Sequence, residues 1–144
     1  MRLFTIGFTR TTAEHFFSRL HKAGVTRVLD VRLNNVSQLA GFAKKDDLRY
    51  FLRELCSMDY LHLPEFAPTQ ELLDEYKRDG GTWDDYARKF LCLLESRRVE
   101  AHVSRGVLDG ACLLCSEPEP HHCHRRLVAE YLSQKWGDVE IAHL

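Results

Sequence analysis

Reactive side-chain types crowd one stretch of this chain, Ala111 to Leu132, ACLLCSEPEPHHCHRRLVAEYL. Cys115, Glu117, Cys123, His124 and Arg125 stand where an apolar run breaks into a Pro-containing turn and a helical pattern begins. Thiols, a carboxylate, an imidazole and a guanidinium are the groups for nucleophilic attack, proton transfer, anion binding or metal ligation. Cys123 falls at or just before a helix start, where free backbone N–H groups and the helix dipole favour a thiolate. Cationic His121, His122, His124 or Arg125 would acidify it further. Cys115 falls where the strand meets the loop. The two thiols are open to three readings: a nucleophile with a resolving partner, a redox couple, or two halves of a metal site. The plain alternative is an N-cap cysteine and a core cysteine. Arg125 and Arg126 oppose the dipole at a helix start unless a bound anion compensates, so Arg125 is expected to face a site and Arg126 the solvent.

Two further strand ends carry polar residues that need partners there. One ends Thr5-Ile6-Gly7; in the other, Asp30 and Arg32 are two apart and share a face. Arg32 can hold Asp30 ionised and still offer donors to an anionic ligand, although a plain ion pair is the simpler use of the two residues. If the strands run parallel, all these ends converge on one edge of the sheet, where open α/β sheets bind ligands. Cys112 and Cys115 have C-x-x-C spacing, but positions three apart on a strand project to opposite faces. Cys112 is therefore read as a small core hydrophobe, as are Cys56 and Cys92 on helical patterns, and no metal ligand or cofactor is assigned. Phosphatase-type Cys-x5-Arg spacing, a G-x-S-x-G elbow, a Walker loop, G-x-G-x-x-G and H-E-x-x-H are all missing from the sequence.

The elements that must position these residues follow from periodicity. Arg2 to Ile6 reads as a buried strand ending at Gly7, and Thr11-Thr12-Ala13-Glu14 as a capping box. The helix after it puts Phe16, Phe17 and Leu20 on one face, with Gly24 as terminator, and Val28 to Val31 is a second strand. This βαβ unit predicts parallel pairing. Residues Asn34 to Ala43 read as a loop of functional size; Leu48, Phe51, Leu52 and Leu55 form the apolar stripe of a helix. Tyr60 to Leu63 reads as a third strand and Pro68 to Arg78 as a weaker helix closed by Gly80-Gly81. Thr82 to Asp85 forms a second capping box, opening a helix that buries Tyr86, Phe90, Leu91 and Leu94. A short helix is expected within Val99 to Leu108. The strand Ala111 to Cys115, apolar on both faces, belongs at the centre of the sheet. A helix from His124 to Trp136 buries Leu127, Val128, Tyr131 and Leu132, and Val139 to Ile141 closes the chain as a strand. The expected fold is α/β, a single domain over residues 1–144 with a mainly parallel sheet of about 4–5 strands flanked by helices.

Composition narrows the function classes. The chain has 144 residues and a formal net charge of −1, so no global positive field draws in nucleic acid. No apolar run approaches the roughly 20 residues of a membrane span, so no membrane association is expected. Five cysteines with no secretory leader pattern fit a reducing cytoplasm and not a disulfide framework.

Taken together, Thr5-Ile6-Gly7, Asp30-Val31-Arg32 with Gly41-Phe42, and Leu114-Cys115-x-Glu117 followed by Cys123-His124-Arg125 resemble the family called domain of unknown function 488. The likeness implies a compact α/β protein with a shared site at Asp30, Arg32, Cys115, Glu117, Cys123, His124 and Arg125, and no settled reaction. The chain departs from the family pattern at Asn34-Asn35, where a proline is expected after Asp-Val-Arg. The resulting expectation is an enzyme acting on an anionic, phosphate-bearing, nucleotide-like or nucleic-acid substrate. Thr5, Gly7, Arg32, His124 and Arg125 would bind the anion. Asp30 or Glu117 would act as general base or carboxylate nucleophile, with Cys115 or Cys123 tuning or attacking. The alternative is a non-catalytic metal- or redox-sensing or nucleic-acid-binding module using Cys115, Cys123 and His124.

Overall fold

Local chemistry sets the helix ends. In the computed structural model, which describes residues 1–36 and 40–144, α1 runs Ala13–Ala23 and ends at Gly24, whose φ of 73° lets its N–H close on the carbonyls of Leu20 and His21. The α1 cap is Thr12 and not Thr11: Thr12 has the extended backbone a cap needs, and its hydroxyl accepts from His15 N–H. Of the second box the threonine half forms: Thr82 accepts from Asp85 N–H to start α4 (Trp83–Arg97), while the Asp85 carboxylate meets Arg88 at 3.5 Å. Between these lie α2 (Lys45–Cys56) and α3 (Gln70–Lys77), the latter capped by Thr69. The expected short helix over Val99 to Leu108 is two single turns, α5 (Val99–His102) and α6 (Arg105–Leu108). Helix α7 spans His124–Trp136. The loop expected over Asn34 to Ala43 falls partly on residues 37–39, outside the described residues, and its end, Gly41–Ala43, is a 3-10 turn.

The strands are β1 (Arg2–Gly7), β2 (Arg27–Asp30), β3 (Asp59–His62), β4 (Ala111–Cys115) and β5 (Glu140–His143). They form one sheet in the order β3-β2-β4-β1-β5, with every pairing parallel. As its composition requires, β4 is central and buried at every position. Alternation along β4 divides two cores. Cys112 and Leu114 pack with Phe4, Ile6 and Val28 beneath α1 and α2. Ala111, Leu113 and Cys115 pack with Leu3 and Leu29 beneath α3, α4 and α7. The chain thus leaves β1 and β2 for one face of the sheet and leaves β4, which lies between them, for the other. The carboxyl end of β4 is a topological switch point, where neighbouring connections part and leave a crevice.

Three apolar assignments differ from the helical pattern. Leu55 is 63% exposed and Leu91 36%, and Cys92 is exposed: Leu55 lies on its stripe but in the last turn of α2, Leu91 flanks the buried face made by Tyr86, Phe90 and Leu94, and Cys92 lies on the far side of α4 from that face. Among the described residues no helix is long and apolar enough to cross a membrane.

Candidate functional site

At the crevice the end of β4 delivers Cys115, and the start of α7 delivers Cys123 and His124. The three are buried, and their ligating atoms lie within 4.8 Å of one another. His124 Nε2 is 2.7 Å from the Val31 carbonyl just beyond β2. A carbonyl oxygen only accepts, so Nε2 carries the proton and Nδ1 turns its lone pair towards Cys115 Sγ, 3.4 Å away. Parallel pairing of β2 with β4 brings Val31 to this point, and the Val31 N–H bonds the Leu114 carbonyl. Burial raises the Cys115 thiol, but the Cys123 S–H, the Arg125 charge and the backbone N–H groups of Glu117 and Ser116 outweigh it, and Cys115 ends below the ordinary thiol value. Cys123 moves the other way, well up, through burial and its bond to Cys115. Cys115 thus accepts from the Cys123 S–H and turns its own S–H towards His124 Nδ1. Cys112, three residues back, is on the opposite face and has no part in the cluster.

Arg125 is fully buried and has a different setting from the one its position suggests. Its Nη1 donates to the Glu117 carbonyl at 2.5 Å, Nη2 to Pro118 at 3.4 Å and Nε to Thr5 Oγ1 at 3.4 Å. These bonds clamp the loop after β4 to β1, and Arg125 does not line the crevice. Thr5 belongs to the same clamp: it accepts from Arg125 and its hydroxyl lies 2.6 Å from His143 Nδ1. Gly7 is required by this packing, since a Cβ there would lie 1.7 Å from the Glu117 carbonyl oxygen that Arg125 holds. Arg126 is half-shielded, its guanidinium 5.8 Å from the centre of the Trp83 ring.

Asp30 and Arg32 form a buried bidentate pair, with Nε 2.8 Å and Nη2 2.9 Å from the carboxylate oxygens. Tyr60 donates a further bond to Asp30 at 2.5 Å, which leaves the Asp30 carboxylate enclosed and outside the crevice lining. Burial and the Asp30 charge push the Tyr60 phenol far above its ordinary range, so it remains a donor. Arg32 is 2% exposed, lies 5.2 Å from the Phe8 ring centre and does line the crevice. Its Nη1 is buried without a hydrogen-bond partner among the described residues.

The crevice has a volume of about 270 Å³ and is bounded by Arg32, the three-residue cluster and Glu117. Glu117 stands at the rim, its carboxylate 2.9 Å from Lys77 Nζ. The far wall is aromatic: Tyr76 stacks on Tyr86 at 4.9 Å between centroids, and His122 on Trp83 at 4.8 Å. Burial pushes the Tyr86 phenol well up, and the neighbouring Cys115 and Cys123 add to that. Of the residues expected at the site, Arg32, Cys115, Glu117, Cys123 and His124 line one crevice, while Thr5, Gly7, Asp30 and Arg125 lie behind it as support. His122, named above only as a neighbour of Cys123, joins the lining, and Tyr76, Lys77 and Trp83 are additions. Their signal in the sequence is weak: aromatic residues on either side of Gly80-Gly81, where the turn folds α3 back on α4.

No curated protein and no solved structure matches the chain. The profile of the family described as Domain of unknown function DUF488 matches residues 12–132, a span that includes Arg32, Cys115, Cys123 and His124, and the chain belongs to that family.

Proposed function

We propose that this protein is an enzyme acting on a phosphate-bearing, nucleotide-like substrate in the crevice at the carboxyl end of β4. The observation that carries the reading is Arg32, a buried guanidinium lining the crevice with one nitrogen unpartnered among the described residues. An unmade hydrogen bond at a buried charged group is unfavourable by roughly 1–3 kcal/mol or more, and a bound oxyanion would supply the acceptor. The start of α7 adds donors: Cys123 makes no side-chain cap and the first turn holds no acidic residue, so the terminus is open to an anion. A planar ring has a wall to stack on at Trp83 and Tyr76. The small volume of the crevice and the net charge of −1 favour a mononucleotide-sized ligand over a nucleic-acid duplex. In this reading the reacting groups are Cys115, Cys123 and His124, and Asp30 serves as the counter-charge that orients Arg32.

Titration with inorganic phosphate and with nucleoside monophosphates, followed by Trp83 fluorescence in a Trp136→Phe background, tests the binding. Saturable binding is expected, weakened on the order of 10-fold or more in Arg32→Gln and less in Arg32→Lys. Absence of binding, or equal binding by Arg32→Gln, overturns the anion site. Product analysis over the same nucleotides tests the enzyme: turnover lost in Cys115→Ala with binding retained supports it. Tight binding with no turnover of any of them reduces the protein to a binding module.

A further inference from the structure

We infer that Cys115, Cys123 and His124 form a binding site for a zinc-type divalent ion, with a fourth coordination position open to the crevice. The site's existence rests on its own geometry; the ion's role in chemistry rests on the reading of the crevice as a phosphate-processing site.

Two thiols and an imidazole are the ligand set that suits zinc and disfavours magnesium and calcium, which take oxygen ligands. In a tetrahedral zinc site with usual bond lengths, a sulfur and a nitrogen ligand stand about 3.6 Å apart and two sulfurs about 3.8 Å. Here Cys115 Sγ and His124 Nδ1 are 3.4 Å apart, and all three ligand atoms fall within 4.8 Å of one another. Closing the cluster on an ion needs only small side-chain movements. Metal-binding histidines donate their other N–H to a carbonyl or carboxylate, which fixes the ring and its tautomer. His124 does this through Nε2 and the Val31 carbonyl at 2.7 Å, which leaves Nδ1 facing the two sulfurs. The supporting contact comes from the residue just beyond β2, distant in sequence, so the cluster has an oriented ligand and not merely adjacent polar groups.

Three protein ligands mark an open site, whereas structural zinc is usually closed by four. All three residues line the crevice, beside Arg32. Neither Glu117, held at the rim by Lys77, nor His122, stacked on Trp83, belongs to the cluster, so among the described residues the remaining position faces the ligand space. Binding involves no change of oxidation state: the ion replaces the protons of both thiols, which pass to solvent, and binds the imidazole through Nδ1. A bound ion next to the anion anchor would act as a Lewis acid towards a phosphoryl oxygen or as the holder of an attacking water.

The test uses the full chain, stripped with a chelator and reloaded with zinc alone. One zinc ion per chain is expected after gel filtration. The cobalt-substituted protein should show thiolate-to-cobalt charge-transfer absorption and the intense visible bands of four-coordinate cobalt. Cys115→Ser and Cys123→Ser should each remove part of the charge-transfer absorption, and His124→Gln should weaken zinc binding on the order of 100-fold. Cys56→Ser and Cys92→Ser should leave stoichiometry and spectrum unchanged. If the cluster variants fail to fold, the wild-type cobalt spectrum decides alone, since charge transfer requires bound thiolate. No zinc retained, or zinc retained equally in the Cys115 and Cys123 variants, overturns the site and leaves a thiol–imidazole pair. Phosphate titrations separate this from the wider reading. A chain that binds phosphate but not zinc loses only the metal site; one that binds zinc but not phosphate loses only the anion site.

Discussion

Cys112 and Cys115 sit three residues apart on one strand, both buried, and face opposite sides of the sheet. On the α1–α2 face, Cys112 lies among Phe4, Ile6 and Val28, and burial pushes its thiol far up despite the charges of Arg125 and Arg19. On the α7 face, Cys115 receives the Cys123 S–H and two backbone N–H groups, and moves down. The same division holds for the cavities. The groove between α1 and α2, lined by Phe17, Phe42, Phe51 and Leu55, is the larger at about 450 Å³, yet it carries no buried charge. The crevice at about 270 Å³ holds the thiols, the imidazole and Arg32. Burial alone makes a thiol inert and a groove greasy. Chemistry requires burial together with donors from other elements.

The sharpest way to break this contrast is to remove each thiol in turn. Cys115→Ala should lower turnover by at least ~1000-fold with the fold intact, whereas Cys112→Ala should leave turnover unchanged and destabilise by about 1 kcal/mol through a small cavity. Equal losses of activity would end the distinction between the faces. Next in size is the clamp behind the crevice. Arg125→Met removes charge-assisted bonds to two carbonyls and should lower stability in urea by about 3 kcal/mol. Gly7→Ala forces a methyl into the Glu117 carbonyl and should cost a similar amount, about 3 kcal/mol. A neutral Gly7→Ala would mean that the loop after β4 is free to move. On the other face, Leu55→Ser should change stability by no more than about 0.5 kcal/mol and leave phosphate binding intact, since Leu55 is already exposed.

The smallest effect belongs to pH. Burial, with Arg125 adding to it, lowers the His143 pKa, and neutral His143 accepts from the Thr5 hydroxyl that also serves Arg125. The unfolded chain binds this proton more readily. The contribution is therefore complete above the ordinary histidine value and declines as pH falls from there towards the lowered folded-state value. Urea titrations across that window should show a slight fall in stability on acidification that His143→Gln removes. An unchanged slope in the variant would separate His143 from the clamp.

Much of the architecture is legible in the residues because each relevant signal is local. The apolar run Ala111 to Cys115 can only be a strand buried on both faces, and its two-residue period separates Cys112 from Cys115 without any coordinates. The caps at Thr82 and Gly24 depend on a few neighbouring backbone groups. The shift of the first cap from Thr11 to Thr12 shows the limit of such reading: two adjacent threonines satisfy the pattern, and only the backbone conformation chooses between them. Leu55 and Leu91 fit an apolar stripe, but a stripe does not say how far its covering neighbour extends.

The site divides along the same line. Residue order alone determined that Arg32, Cys115, Cys123 and His124 would meet, because parallel strands end on one edge and a helix start follows β4 directly. Tertiary structure decided what each does there. Arg125 could have faced the crevice or the loop, and the unpaired carbonyls of Glu117 and Pro118 drew it to the loop. Asp30 is consumed by Arg32 and Tyr60, a partner from the adjacent strand. His124 became a companion of Cys115 because Val31, distant in sequence, holds its other nitrogen. Spacing along a chain places groups near one another; which proton or lone pair faces which neighbour depends on the donors and acceptors that packing brings from elsewhere.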